Sequence, residues 1–433
     1  MRAGFGVVCA LALPLGIGAL RAELPDREPM RAWTTEEGRG FQAAIVSFDG
    51  TTVLFRAENG RRTPVALDRL SGADRQFLAD WQKRQPLEIV MPDDVGVETS
   101  DIQTEVVSED ERNQIFVYRT QNFEFTSQGK FAQSLLRDVA RNFEVTHALL
   151  RALPWGIDPQ PPSGDHFQAK LFRTQVEYEE AGGLKNSGGV FYRSRGLFMV
   201  PFSSIGVKMV GKSYAKDRDY ATHTLVHELT HQMMQEWLGF LPQWVIEGTA
   251  EYTSILPLRN GRFRVSAAKG GLRDYLDDLK RGPGVPRPYP LKDLFVMTNP
   301  QWNQIMADDP AMSSRLYFTS YLLVYYFMHL EGDGDGQLFV RYFRNIDAVR
   351  LEAAGYFAAV EEFKKQPGVE VLDDGSYRWK GNLVPPEAPA VLTSEEARAA
   401  FQKDSLKILL NGRSESELME EIRSAYAKFG IRL

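Results

Sequence analysis

The chain has 433 residues, of which 43% are hydrophobic and 25% are charged, and its formal net charge is −6. This length is enough for two or three domains, and the composition is ordinary for globular protein. The acidic balance gives no support for nucleic-acid binding, so we expect no nucleic-acid partner. The only cysteine is Cys9, which excludes a disulfide within the chain.

The first 22 residues have the pattern of a secretory signal peptide: an early arginine, an apolar core and small residues near Ala22. The sequence therefore predicts cleavage near Ala22 and an exported protein, periplasmic or extracellular. An uncleaved membrane anchor is the alternative, but an apolar run of about seventeen residues is short for a membrane span. We expect no stable membrane insertion after cleavage. Cys9 lies too early, without a convincing lipobox, to indicate a lipoprotein.

Residues 23–86 contain several short apolar runs separated by the turn signals Asp49-Gly50 and Asn59-Gly60. These runs predict strands at 41–48, 53–57 and 63–67, followed by a short helix that extends to Trp81. So many short strands in so few residues indicate a small β-barrel. The opening Arg31-Ala32-Trp33, the hairpins and the helix together resemble the SH3-like Sla-type homology domain. That resemblance implies a module that binds a short peptide, although a purely structural barrel is an equal alternative.

The next segment, residues 87–113, is acidic and has little periodicity, which is typical of a linker. Beyond it the hydrophobic pattern predicts strands, a long amphipathic helix and a hairpin. These elements are expected at 115–118, 123–125, 131–153 (the helix), 170–178 and 189–201 (the hairpin). An extended substrate could add to an edge strand of such a sheet by backbone pairing.

The most informative stretch is residues 219–253, which include His227-Glu228-Leu229-Thr230-His231. Asp219 as an N-cap and Gly239 after the last turn predict a helix around this HExxH sequence. Residues four apart lie on one helical face, so both imidazoles can bind one metal ion. Glu228 projects beside them and is suited to act as a general base.

Two residues compete to be the third ligand, which a catalytic zinc needs beside one open position. His223 precedes His227 by one turn, but eight residues of helix rise about 12 Å, too far for His223 and His231 to share an ion. Glu247 lies in the stretch LPQWVIEGTAEY, where a proline favours the start of a second helix. Packing of the two helices would place Glu251 to accept the free N–H of a ligating histidine. We therefore expect one Zn²⁺, held by His227, His231 and Glu247.

These paired motifs resemble the gluzincin branch of the zincin metallopeptidases. HELTH is followed, after fifteen residues, by Glu247-Gly248-Thr249-Ala250-Glu251-Tyr252, similar to the EGxAEY run of the bacterial peptidase MA-like group. The resemblance covers about the middle half of the chain. It implies a zincin fold, peptides as the substrate class, Glu247 as the third zinc ligand and Glu251 as the carboxylate behind a ligand histidine.

The same resemblance suggests a residue for the oxyanion. In gluzincin aminopeptidases a tyrosine begins a helix and donates a hydrogen bond to the tetrahedral oxyanion. Residues 314–326 predict an apolar helix, in which Tyr317 matches that place and Tyr321, one turn on, is the alternative. His223 is a further candidate for binding the oxyanion or the substrate, against a structural role on a buried face.

Other polar motifs have simpler interpretations. Residues 331–336, EGDGDG, begin like a calcium loop, but Tyr342 occupies the place of the bidentate glutamate, which favours a glycine-rich loop between helices. Residues 255–310 show no clean period and indicate loop-rich structure. The histidines that are expected to be structural are His147, His166 and His329.

The sequence therefore predicts an α+β protein with a zincin-like catalytic domain at 114–350, made of a small sheet and a helical subdomain. The small SH3-like β-barrel precedes it, and a helical region at 351–433 follows. The predicted function is hydrolysis of a peptide or protein substrate by a metal-activated water, with Glu228 as general base. The alternative is a non-catalytic exported binding protein that retains zinc and binds short peptides through the SH3-like module. The presence of Glu228 favours the enzyme.

Overall fold

The computed structural model describes residues 30–48, 50–58, 61–84, 89–217, 220–372 and 375–433. It is a mixed α+β protein, and its described residues form two compact units, one ending at residue 84 and the other running from Ile89 to Leu433. The predicted signal peptide and Asp219 lie outside the described residues. Within the described ranges, no helix has both the length and the apolar character needed to cross a membrane.

The first unit is an antiparallel sheet of four strands, paired in chain order, with one helix. Its elements are β1 (Arg31–Thr34), β2 (Gly40–Phe48), β3 (Thr52–Arg56), β4 (Arg62–Ala66) and α1 (Gly72–Arg84). Trp33 is 1% exposed and its indole N–H donates to the carbonyl of Ala43 at 2.9 Å. The three predicted strands and the helix are confirmed, and β1 is an additional strand.

The second unit contains a mixed sheet of six strands, in the order β10-β11-β9-β8-β7-β6. Strands β8, β9 and β11 are parallel, whereas β10 pairs antiparallel with β11 and forms one edge. The strands of this unit are β5 (Asp94–Gly96), β6 (Glu105–Asp110), β7 (Ile115–Arg119), β8 (Phe123–Ser127), β9 (Phe167–Phe172), β10 (Val190–Tyr192), β11 (Leu197–Pro201), β12 (Val207–Val210), β13 (Ser213–Lys216), β14 (Leu258–Arg259), β15 (Arg262–Arg264), β16 (Val369–Val371) and β17 (Tyr377–Trp379).

Helices make up most of the rest of this unit. They are α2 (Gln133–Ala152), α3 (Gln175–Glu180), α4 (His223–Met233), α5 (Gln243–Ile255), α6 (Ala268–Arg281), α7 (Leu291–Leu294), α8 (Asn299–Asp308), α9 (Pro310–His329), α10 (Gln337–Lys364), α11 (Glu395–Leu410) and α12 (Glu415–Lys428). The predicted strands at 115–118 and 123–125, the helix at 131–153 and the hairpin at 189–201 are confirmed. The glycine-rich segment 331–336 is the expected loop between two helices.

The expectation of an acidic linker at 87–113 is wrong. This segment contributes β5 and β6, and Ile102 within it is 2% exposed in the core of the second unit. Every residue of β6 is exposed because the strand forms the outer edge of the sheet. An edge strand without a buried face has no alternation of apolar and polar residues, so its sequence looks like a loop.

Other boundaries also differ from the sequence prediction. The strand expected at 170–178 ends at Phe172, because the side chain of Thr174 caps the first turn of α3 by accepting the N–H of Glu177. The domain boundary expected at 350/351 falls inside α10, a continuous helix of 28 residues. Its buried residues continue past that point, at Ala353, Val360 and Phe363.

Residues 255–310 are more helical than predicted. Helix α6 buries Ala268, Leu272 and Leu276, which repeat every four residues, while its other face is charged. Helix α8 begins with a capping box in which Thr298 and Gln301 satisfy each other's backbone N–H groups. The glycines and prolines that suggested a loop-rich region are concentrated between α6 and α7, at residues 282–290.

The helix that carries HExxH is shorter than expected and ends at Met233 rather than near Gly239. Successive turns follow, in which the N–H of Trp237 bonds the carbonyl of Met234 and the N–H of Phe240 bonds that of Trp237. These turns bury Trp237, Phe240 and Leu241. The chain therefore reverses in a compact, apolar connection and enters α5.

Helix α5 is buried along almost its whole length, from Trp244 to Ser254, and packs between α4 and α9. Gly248 makes the approach of α9 possible, since a Cβ atom there would lie 2.5 Å from the carbonyl oxygen of Ser320 and 2.8 Å from a methyl of Val324. The position of α5 relative to its neighbours thus depends on the absence of a side chain at residue 248.

Replacement of this glycine tests the packing. We expect Gly248→Ala to lower the free energy of unfolding by about 1–3 kcal/mol, as overpacked core substitutions do. Gly270→Ala is the matched control, because a Cβ in that helix meets no atom within 4 Å, and it should stabilise by about 0.5–1 kcal/mol through reduced backbone entropy. Chemical denaturation of both variants measures the difference. Equal stability of the two variants would contradict the packing.

Candidate metal centre

Helix α4 positions the first three functional side chains of the site. Leu225, Val226, Leu229 and Met233 bury one side of the helix, which leaves His227, Glu228 and His231 on the side that faces α5 and the sheet edge. The hydroxyl of Thr230 bonds the carbonyl of Val226 at 2.8 Å and the hydroxyl of Thr253 on α5 at 2.7 Å. This buried link fixes the two helices against each other.

Helix α5 brings Glu247 to the two histidines. Oε2 of Glu247 lies 3.2 Å from Nε2 of His227 and 3.3 Å from Nε2 of His231, and the two Nε2 atoms are 3.1 Å apart. The three donor atoms therefore form a nearly equilateral triangle in a mostly buried setting. The His227, His231 and Glu247 group could bind a metal ion.

The donors fit a tetrahedral divalent ion. Oε2 of Glu247 is buried and has no hydrogen-bond partner. Its lone pairs are therefore available to coordinate an ion that lies between the two imidazoles. With bond lengths of about 2.0–2.1 Å, donor atoms at these separations subtend roughly 100° at the ion, close to a tetrahedral angle. Two imidazoles and one carboxylate are also a common ligand set of catalytic zinc.

Neighbouring side chains orient the ligands. Nε2 of Gln243, one turn before Glu247, donates to Oε1 of that carboxylate at 2.8 Å, which turns the other oxygen towards the histidines. Oε1 of Glu251 lies 3.0 Å from Nδ1 of His227, close enough for a hydrogen bond although not well aligned. A carboxylate at the outer nitrogen of a ligating imidazole fixes the ring and strengthens it as a donor.

The charges of the site are strongly coupled. Burial favours the neutral forms of Glu247 and Glu251, but the neighbouring histidines favour the charged carboxylates more strongly. The pKa of Glu247 therefore falls below its usual range, and that of Glu251 falls to about 2. Conversely, burial alone would lower the pKa of His227, whereas its contacts with Glu247 and Glu251 raise the pKa well above the ordinary value. Protons therefore compete with a metal ion for His227.

Glu228 has a different environment from the other two glutamates. Burial raises its pKa, an effect that the charges of His231 and His227 partly oppose. The backbone N–H of Phe191, on the edge strand β10, interacts with this carboxylate. A carboxylate with a raised pKa next to a metal centre and a strand edge is suited to taking up and releasing a proton.

Of the two tyrosine candidates, only Tyr317 faces the three donors. Its ring lies 6.0 Å from that of His227, and its hydroxyl interacts with Glu247. Burial and the nearby carboxylates raise the pKa of Tyr317, so it stays a hydrogen-bond donor. Tyr317 is two turns inside α9, rather than at the start of the helix as the resemblance implied. Tyr321 instead packs against Tyr275 and Tyr325.

The remaining histidines have separate environments. His223 is exposed over 43% of its side chain and lies 3.4 Å from Glu251, outside the group of three donors. His329 is half-buried and pairs with the hydroxyl of Tyr252 at 2.8 Å, and desolvation lowers its pKa to about 4. His147 is buried against Phe123 and Phe167.

Sequence reasoning missed several parts of the site. Gln243 had a signal that could have been used, since it precedes Glu247 by one helical turn in the same motif. The N–H of Phe191 had none, because it is a backbone group of a distant strand. Trp302 on α8, whose ring meets that of Tyr317 at 6.1 Å, lies in the region that was expected to be loop.

Comparisons of the chain with protein-family models, with curated proteins and with solved structures found no match.

Proton competition predicts how metal binding depends on pH. Because the pKa of His227 is raised in the metal-free protein, binding should release about one proton at neutral pH, and affinity should fall about tenfold per unit as the pH decreases below that pKa. Calorimetric titration with Zn²⁺ in buffers of different ionisation enthalpy measures both quantities.

Two variants test which residues bind the metal. His231→Ala should abolish binding of one equivalent, whereas His166→Ala, outside the group of donors, should leave it unchanged. Binding without proton release, or equal binding by the two variants, would contradict the ligand assignment.

Proposed function

We propose that the protein is an exported zinc peptidase that hydrolyses peptide bonds in peptide or protein substrates. The observation that carries this proposal is the convergence of three metal-ligating atoms, a separate carboxylate and a tyrosine hydroxyl on one place. A purely structural zinc site has four protein ligands and no use for a general base. The HELTH and EGTAEY motifs, and their resemblance to the peptidase MA-like gluzincins, support peptides as the substrate class.

Each side chain then has a defined task. Zinc, when bound, would lower the pKa of a water and polarise the scissile carbonyl. Glu228 would accept a proton from that water at its carboxylate and pass it to the leaving amine, a role for which its raised pKa is suited. The hydroxyl of Tyr317 would donate to the oxygen on which negative charge develops. Glu251 would hold His227 in the orientation that ligation needs.

The edge strand β10 supports a place for the substrate. This strand pairs with β11 on one side, and its other side is the edge of the sheet. Because Phe191 of β10 interacts with Glu228, a peptide paired with this edge would pass beside the general base. Backbone pairing of this kind binds extended peptides with little dependence on their sequence.

The fold supports the same proposal. We propose a zincin-like arrangement for the second unit, in which a sheet with an antiparallel edge strand lies beside the HExxH helix and a helical part carries Glu247. For the first unit we propose an SH3-like module that binds a short peptide. Its Trp33 belongs to the core, so a ligand would have to contact other residues.

Substitution of the general base tests the proposed activity. We expect Glu228→Gln to lower kcat by about 10²–10⁴-fold while zinc content stays at one equivalent, since general-base catalysis contributes that much and Glu228 is not a ligand. Cleavage of a broad library of fluorogenic peptides and elemental analysis measure the two effects. Equal, background-level turnover by the wild type and the variant would favour the non-catalytic binding protein.

The oxyanion role is tested by a pair of tyrosine variants. Tyr317→Phe should lower kcat by about 10²–10³-fold with little change in KM, the effect of losing one oxyanion donor. Tyr321→Phe is the matched control, because this ring packs against other tyrosines rather than the donors. A larger loss of kcat in Tyr321→Phe than in Tyr317→Phe would reverse the assignment.

A further inference from the structure

Two arginines without acidic partners lie where the edge strand leaves the site. Strand β10 interacts with Glu228 through Phe191 and ends at Tyr192, and Arg193 follows directly. The guanidinium of Arg193 lies against Gly239, since a Cβ at that glycine would be 2.9 Å from Nη2. Gly239 belongs to the connection that leads from α4 into α5. Arg193 is therefore placed between the sheet edge and the connection that joins α4 to α5.

The second arginine comes from the carboxyl-terminal part of the chain. Nε2 of Gln402 on α11 donates to the carbonyl of Phe240, at 3.2 Å, next to Gly239. Arg398 precedes Gln402 by one helical turn and so lies on the same face of α11. Three elements, the end of β10, the α4–α5 connection and α11, thus bring two guanidinium groups to one region.

The positive charges of these two guanidinium groups repel each other, and no ion pair among the described residues offsets that repulsion. Partial desolvation, and then the charge of Arg398, lower the pKa of Arg193, although the residue remains exposed, and no carboxylate acts on it. Among the described residues, neither arginine forms an ion pair with an aspartate or glutamate. Two other arginines of the same unit are paired: Arg350 with Glu236 and Asp347, and Arg413 with Glu331 and Glu421. Like charges placed together at a site favour an incoming anion.

We infer that Arg193 and Arg398 bind a carboxylate of the peptide substrate, so that the enzyme selects acidic peptides. This inference rests on the proposed function, because it uses a peptide that pairs with β10. Arg193 is two residues beyond Phe191 in the chain, at the first residue of the short helical turn Arg193–Arg195 that follows β10. The carboxylate would therefore lie about two or three residues from the bond next to Glu228, as an aspartate or glutamate side chain or as the free carboxyl terminus.

Matched peptides test the selectivity. We would use sets of synthetic peptides in which each position in turn carries either glutamate or glutamine. Each peptide is made with a free carboxylate and with an amide at its carboxyl terminus, which separates the two sources of the charge. For the wild type we expect kcat/KM to be about 10- to 100-fold higher for the charged member at one position only, mainly through KM, as charge-assisted hydrogen bonds imply. A preference at an internal position indicates a side chain, and a preference for the free acid indicates the carboxyl terminus.

Arginine variants connect that preference to the structure. Arg193→Gln and Arg398→Gln should each reduce the ratio of charged to neutral peptide, and the double variant should bring it near one. Arg112→Gln is the control, because it removes the same charge from an exposed turn between β6 and β7, at the opposite edge of the sheet. Cleavage with no charge preference in the wild type, or a preference that persists in the double variant, would overturn the inference while leaving the peptidase intact.

A binding measurement makes the test independent of turnover. Fluorescence anisotropy of the same labelled peptides with Glu228→Gln, and with Glu228→Gln carrying both arginine substitutions, reports the carboxylate contact alone. If acidic peptides bind more tightly than neutral ones, and this difference is lost with the arginine substitutions, the carboxylate site is supported. If at the same time no peptide is cleaved by the wild type, only the proposed hydrolysis fails. Equal binding of acidic and neutral peptides by both proteins would contradict the site.

Discussion

The structure depends on one contact, the approach of a carboxylate on α5 to two imidazoles on α4. Glu247 and the histidines place three donor atoms 3.1–3.3 Å apart, and the carboxylate oxygen has no other partner. Burying such a charge is costly unless something compensates it. The two histidines beside it offset part of that cost, since they lower the pKa of Glu247 despite its burial, and a divalent ion would offset more. The packing of α5 against α4 thus has two consequences: an electrostatic cost of burying Glu247, and a place where a metal ion would be stabilised.

Packing around α5 maintains this contact. The buried hydroxyls of Thr230 and Thr253 join α5 to α4, and the bare backbone at Gly248 lets α9 approach on the other side. Helix α9 in turn brings Tyr317 close to His227, and Trp302 packs against that tyrosine ring. The site is therefore formed by helices that are packed tightly against one another, which holds the three donor atoms in a fixed arrangement.

Local features of this protein could be predicted from its sequence, and contacts between distant segments could not. Helix geometry fixes the relation of His227 to His231, and the EGTAEY motif pointed to Glu247 and Glu251, which the fold does bring beside them. By contrast, β6 has no buried face and therefore no periodic signal. The choice between Tyr317 and Tyr321, and the meeting of Arg193 with α11, depend on how whole helices pack, which spacing along one chain does not encode.

The most direct test is a crystal structure of the zinc-loaded protein with an anomalous difference map at the zinc edge. The expected result is a single peak about 2.0–2.1 Å from Nε2 of His227, Nε2 of His231 and Oε2 of Glu247, with one coordination position left for solvent. A peak elsewhere in the protein, or a Glu247 side chain turned away from both histidines, would contradict the proposed centre.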